Sequence, residues 1–394
     1  MFRLLLLLTF IESFATILFE RGVYFFTHAV LGFSDSENLW LALAFGVVYV
    51  AGALVSHALT RWGGERPVLL AAVVGQVAAN AALACRPTPL GLFLGAVALG
   101  MLNGVKWPIV ESYISAGHAP GQVARRIGGF NVAWCLAVPI SIAVVGPILD
   151  VRPVGVFWLA GGISVVSAGM VLLLAARPDY LEASHPEAPT PAGWRRWSDL
   201  MVSARWLLLL AYSLMWVLAT FFPRIFDHLG YRVAGPAFSG VMDVVRLGAF
   251  LVLGFWPGWH DRRWPIVAGM VGLPVGFLLA VSGASLAIVL AGEVVFGLAA
   301  GVVYFAAIYY AMVVKNASVA AGGGHEGLIG LGFAIGPAAG LVGVALHGAV
   351  GSPLLGTLLG ALPVLLVCTG GALRALAATA PRGKLSTDYT DYTD

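Results

Sequence analysis

The chain has 394 residues, 60% of them hydrophobic and only 10% charged, with a formal net charge of +3. A soluble globular chain carries about 25% charged residues, so in water this composition would expose large apolar areas. The small net charge, with no dense Lys/Arg cluster outside short loops, argues against nucleic acid as a partner.

The apolar segments run roughly 20 to 25 residues each, the length a helix needs to cross a hydrocarbon core of about 30 Å. An all-α polytopic membrane protein is therefore expected, not a β-barrel with strands of about 10 residues. The 50 glycines suit helices whose backbones approach closely in lipid. Cys85, Cys135 and Cys368 show no CxxC spacing and read as small packing residues, without a metal site or a disulfide framework.

In chain order, helix 1 covers residues 4–26 and reads as a membrane helix, not a signal peptide, because Glu12 interrupts the apolar run and no cleavage site follows promptly. Ser34 and Glu37 read as a capping box that starts helix 2, over 38–59. Pro67 opens helix 3 (67–85), and Pro87 and Pro89 separate it from helix 4 (90–116). Helices 5 and 6 follow at 127–149 and 154–176. Residues 177–205 are the one long polar, proline-rich segment and read as a linker between two halves, with 194–201 a candidate surface helix.

The second half gives helices 7 (206–225), 8 (236–256), 9 (265–281), 10 (285–314), 11 (327–346) and 12 (353–377), so the C-terminal half runs over 206–380 and a polar tail over 381–394. That tail, with its Thr-Asp-Tyr repeats, is expected to be disordered or an appended remnant. The N-terminal half occupies 1–176, and the two halves repeat. Gly95, Gly100 and Gly104 recur as Gly292, Gly297 and Gly301 at an offset of 197, and Pro67 and Pro139 recur as Pro265 and Pro337 at 198. A near-constant offset across separate helices argues duplication.

Placing both termini in the cytoplasm puts 15 Lys/Arg residues inside, among them Arg61, Arg66, Arg205 and Lys315, and leaves Arg21, Arg86, Arg152, Arg224 and Arg232 outside. That asymmetry follows the positive-inside rule, so a cell inner (cytoplasmic) membrane location is expected.

Twelve helices in two duplicated sets of six, joined by a linker, resemble the major facilitator superfamily over essentially the whole chain. The superfamily motif Gly-x-x-x-Asp-Arg-x-Gly-x-Arg-Arg falls on SHALTRWGGER at 56–66, where Arg61, Gly63 and Arg66 match and Thr60 replaces the Asp. The related loop GWHDRRW at 258–264 keeps Asp261, Arg262 and Arg263. In the family this motif is thought to latch the halves, so the resemblance implies gating roles for Arg61, Arg66, Asp261 and Arg262, with the missing Asp weakening the latch. The antiporter glycine motif is absent from VPISIA at 138–143. FERGVYFF at 19–26 is similar to the ExxER signature of peptide transporters, but Ile17 replaces its first Glu, so that activity is not carried over.

A charge at the centre of a membrane helix costs about 2.5 to 3.5 kcal/mol on insertion scales, which makes each one a functional candidate. Glu12 and Lys106 lie at similar depth, about 12 and 15 Å from one face, on helices that line the central cavity in the resembled fold. They are expected either to pair and open with proton or solute, or to form a permanent structural pair. Pro108 loosens helix 4 beside Lys106, and Asn103 shares that face. Trp107 and Glu111 share an adjacent face.

Asp243 and Arg246 are three apart and therefore neighbours on helix 8, as a coupling pair or a structural bridge. Glu293, with no cation on its own helix, is a candidate proton carrier. Glu20 and Arg21 read as a gate or solvated pair near the outer surface. Gln76, Asn80, Asn131 and Tyr304 are weaker candidates. Histidines 118, 185, 260 and 325 read as loop residues, and no metal spacing, catalytic triad or phosphate loop occurs.

These features point to a monomeric secondary transporter without cofactor, not an enzyme. Lys106, Asn103, Trp107, Arg246 and Tyr304 are expected to meet a small polar or anionic solute, and Glu12, Asp243 and Glu293 to carry protons. Glu20, Arg21, Glu111 and the four motif residues are expected to gate. Two alternatives stand beside it: efflux of amphipathic cations, and an uncoupled receptor or lipid-moving protein.

Overall fold

The computed structural model describes residues 1–115, 120–178, 191–314 and 319–378. Lys315, His118, His185, residues 179–190 of the expected linker and the polar tail lie outside them. Among the described residues twelve helices are long and apolar enough to cross a membrane. They are α1 (Phe2–Leu31), α2 (Asp35–Gly63), α3 (Glu65–Cys85), α4 (Pro89–Ile114), α5 (Arg125–Val151), α6 (Gly155–Leu172), α7 (Arg195–His228), α8 (Gly235–Phe255), α9 (Trp264–Ser282), α10 (Leu286–Ala311), α11 (Gly323–Val350) and α12 (Pro353–Ala378). The chain is an integral membrane protein. Below, the proximal face is where α1 starts and α12 ends, and the distal face is the other.

Local chemistry sets several boundaries. The Ser34 hydroxyl accepts from the Glu37 N–H at 3.3 Å while the Glu37 carboxylate accepts from the Ser34 N–H at 2.8 Å, so the capping box forms and α2 starts at Asp35. Gly64, at φ 78°, is the single residue between α2 and α3, a conformation that favours glycine. Helix α1 is interrupted. Its regular ladder stops at Glu20, Arg21 adopts φ −120°, and the chain resumes at Gly22 and leaves through a π turn over Thr27–Leu31.

The helix containing residues 206–225 starts much earlier than the composition suggests, at Pro191, so the stretch 191–205 of the expected linker is helical. Within the membrane part α7 is the most enclosed span, 94% buried over its most apolar stretch, and it forms the centre of the C-terminal half.

The duplication is visible in packing. In the first half α1 packs on α5 and α6, α2 on α4, and α3 on α4 and α6; in the second, α7 packs on α11 and α12, α8 on α10, and α9 on α10 and α12. The repeated glycines occupy equivalent contacts. A Cβ on Gly100 would lie 2.6 Å from the Phe45 carbonyl oxygen, and one on its counterpart Gly297 would lie 2.2 Å from that of Met242, so α2 and α4, like α8 and α10, touch backbone to backbone. The halves meet through α2 against α11 and α5 against α8, a symmetric pair of seams.

Candidate functional site

Helix α1 brings Glu12 and Thr16, four residues apart and so on one face, against Lys106 of α4. Lys106 Nζ donates to Glu12 Oε2 at 2.7 Å and to Thr16 Oγ1 at 3.0 Å, with both charged side chains at most 1% exposed. The Gln76 amide, turned so that its oxygen faces Lys106 (3.1 Å) and its nitrogen faces Glu12 (3.0 Å), closes the set from α3. Thr16 also donates to Asn103 Oδ1 at 3.1 Å, and Lys106 lies 4.5 Å from the centre of the Trp107 ring. Every member of this cluster belongs to the first half. In the interior, a paired and hydrogen-bonded charge avoids the large penalty of a lone one.

A second cluster joins the halves. Arg21 of α1 donates one guanidinium nitrogen to Asp243 of α8 and the other to the Ser239 carbonyl oxygen at 2.7 Å. The second Asp243 oxygen accepts from Arg246 Nη2 at 2.7 Å, so two guanidinium groups share one carboxylate. Arg246 also lies 4.7 Å from the Trp134 ring centre. Behind the cluster Glu293 of α10 accepts from the Met242 N–H at 3.2 Å.

Arg21 is 6% exposed, which corrects the expectation that Glu20 and Arg21 lie near the outer surface. The reason is length: α1 continues to Leu31, past the expected end at Phe26, so these residues sit well inside the bundle, and the break at Arg21 turns its side chain toward α8.

Between the halves lies a cavity of about 780 Å³. Its charged lining is Glu20, Arg21, Arg246 and Glu326, and its walls are largely aromatic, including Trp107, Trp134, Tyr212, Trp216, Tyr304 and Phe333. Of the expected solute contacts, Trp107, Tyr304 and Arg246 reach the cavity wall. Lys106 and Asn103 stand one layer behind it, in contact through Thr16. Tyr49 of α2 crosses the seam, its hydroxyl donating to the Glu326 carboxylate of α11. Glu111, expected to gate, is buried on α4, facing Glu326.

The residues assigned to the loop motif stay within their own halves. Arg66 Nη1 donates to the Leu174 carbonyl oxygen at 3.1 Å. The Asp261 carboxylate pairs with Arg196 at 2.7 Å, and its N–H donates to Tyr310 Oη at 3.0 Å. Asp261 has φ 57°, the one positive value at a non-glycine among the described residues. Arg61 and Arg262 are exposed. Beside Asp261, His260 stacks on Tyr309 at 4.4 Å, and partial burial lowers its imidazole pKa, favouring the neutral ring.

Two residues depart from the sequence reading altogether. His325, expected in a loop, is fully buried within the helix that carries α11, with its ring edge-on to Tyr304 at 4.9 Å. Glu326 beside it was not a sequence candidate. The run AGGGHEG looks like a loop because glycine disfavours helix, yet Val319–Val350 is one helix. A charge immediately before an expected membrane helix was the available signal. The aromatic wall was hidden for another reason: Tyr212, Trp216 and Phe333 sit in ordinary apolar runs.

The sequence profile of the Major Facilitator Superfamily matches residues 5–341. The chain therefore belongs to that superfamily. No curated protein matches it in sequence. Among solved structures, a POT family transporter in complex with 5-aminolevulinic acid is similar with a TM-score of 0.75 at 14% identity, covering 97% of this chain and 96% of the other. The nucleoside transporter NupG gives a TM-score of 0.65 at 13% identity over 98% and 99% of the two chains. A bacterial homolog of the human lysosomal transporter Spinster, inward-facing and unoccupied, gives 0.63 at 15% identity over 96% and 93%. At these identities the likeness shows the fold.

Proposed function

We propose that this protein is a secondary active transporter that moves a small polar or anionic solute by alternating access, coupled to protons. The observation that carries the reading is the cavity between the halves, whose walls come from both and whose lining residue Arg21 ties them through Asp243, a polar contact that can be broken and remade. Membership of a transporter superfamily, and similarity to POT family transporters in complex with a thioalcohol-conjugated peptide and with 5-aminolevulinic acid and to the nucleoside transporter NupG, support a small-molecule cargo and weigh against an enzyme.

In this reading Arg246, Trp107 and Tyr304 meet the solute. Protonation of Glu12 releases Lys106 toward the cavity through the Thr16 contact, and release of Asp243 or protonation of Glu293 loosens the distal tie. The protein acts as a monomer in a cell inner membrane, with the proximal face cytoplasmic, as the Lys/Arg asymmetry favours.

The test is uptake by purified protein in liposomes under an imposed pH gradient. Uptake should follow the gradient, and Glu12→Gln should remove the gradient dependence while solute exchange continues. Outward movement of drugs, or lipid redistribution alone, would overturn the reading.

A further inference from the structure

The cavity wall presents both basic and acidic groups, Arg21, Arg246, Glu20 and Glu326. Arg246 is 4% exposed, and its Nε–H has no hydrogen-bond acceptor. Its only carboxylate neighbour among the described ion pairs, Asp243, also carries Arg21. Glu20 stands near both guanidinium groups as well, but neither it nor Asp243 meets the Arg246 Nε–H, which is left for an anionic group of a solute.

On α11 Glu326 is 6% exposed, accepts from the neutral Tyr49 hydroxyl and is faced by the Glu111 carboxyl of α4. A neutral donor and a second acid bring no cation to this carboxyl. Tyr49 packs edge-on to Phe333 at 5.0 Å, and Phe333 lies 5.6 Å from Tyr212, so aromatic rings line the cavity together with this acid. Rings beside a carboxylate form a setting that attracts ammonium groups. Glu20 adds a second acid to the same cavity.

Resting on the transporter reading, we infer that the solute is zwitterionic, its anionic group taken by Arg246 and its cationic group by Glu326 with Glu20, the aromatic wall covering the carbon skeleton between them. A pure anion would satisfy Arg246 but be repelled by the acids, and a pure cation would meet the reverse. A zwitterion satisfies both ends and carries no net charge across the bilayer, where moving charge is costly.

The experiment uses the purified full-length protein and a panel of ω-amino acids of increasing length and short alanine peptides. Each is tested beside its N-acetyl and its C-terminal amide form, with thermal stabilisation and tryptophan fluorescence as readouts. At least one zwitterion should bind, and capping either end should weaken it about 10- to 100-fold, the loss of one charge-assisted contact. Glu326→Gln should bind the N-acetyl form as well as the free one, and Arg246→Gln should do the same for the amide. Arg246 also holds Asp243, so if that variant does not fold, Glu326→Gln decides.

Capped forms that bind as well as their parents, or a panel in which no zwitterion binds, would overturn the inference. Liposome counterflow separates it from the reading it rests on. A zwitterion that binds but is not exchanged leaves the site and removes the transporter. A purely anionic or cationic solute that is exchanged does the opposite.

Discussion

The two buried ion clusters have similar chemistry but opposite placement. Glu12, Lys106, Thr16, Gln76 and Asn103 all belong to the first half, whereas Arg21, Asp243 and Arg246 tie α1 of the first half to α8 of the second. A cluster inside one rigid half keeps its geometry when the halves move, so it can store charge or position helices without opposing the motion. A cluster across the seam cannot survive separation of the halves. The first is therefore expected to govern stability and protonation, and the second to govern which face is open.

The largest effect should come from leaving one charge of the inner cluster alone. Lys106→Met leaves Glu12 buried without its cation and should cost about 3 to 5 kcal/mol of stability, seen as a marked drop in unfolding temperature in detergent. The double variant with Glu12→Gln should recover most of that loss, because a neutral amide in the same place needs no counter-charge. If Lys106→Met melts like the parent, the pair is not the structural centre of the first half.

Asp243→Asn should cost about 3 kcal/mol, the low end of that range, because the amide oxygen still accepts from a guanidinium, but it should change access. In a background lacking the exposed Cys85, a cysteine at Ser239, now fully buried, should react faster with a water-soluble maleimide once Asp243 no longer holds Arg21. Lys106→Met should leave that rate unchanged. Equal rates in both variants would erase the distinction between the clusters.

Much of this arrangement was legible beforehand, for physical reasons specific to each part. The glycine offset of 197 was readable because backbone contact tolerates no side chain, so both copies kept the same residues. Asp243 and Arg246 were readable because three residues on a helix face each other. Glu12 and Lys106 were readable because depth follows from counting. Arg21 was not, because its partner lies 222 positions away and its inward turn depends on a break in α1 that no proline announces. Glu326 was not, because a glycine run masked the start of its helix.

The smallest effect should come from another contact that crosses the seam. Tyr49 sits on α2 and Glu326 on α11, and Gly330 allows the close approach there, since a Cβ on it would lie 2.8 Å from the Tyr49 ring. Tyr49→Phe keeps the ring, its packing on Phe333 and the helix contact, and removes only the hydroxyl, so it should cost about 0.5 to 1.5 kcal/mol. Its value lies in direction. Glu326 lies near the start of the helix carrying α11, toward the proximal face, whereas Arg21 and Asp243 lie toward the distal one. Losing the hydroxyl should therefore leave labelling at Ser239→Cys slow while raising it at a cysteine placed beside Glu326, the reverse of Asp243→Asn. Faster labelling at Ser239→Cys in Tyr49→Phe would mean that the two ties close one gate together, and the division of the seam into opposing gates would fail.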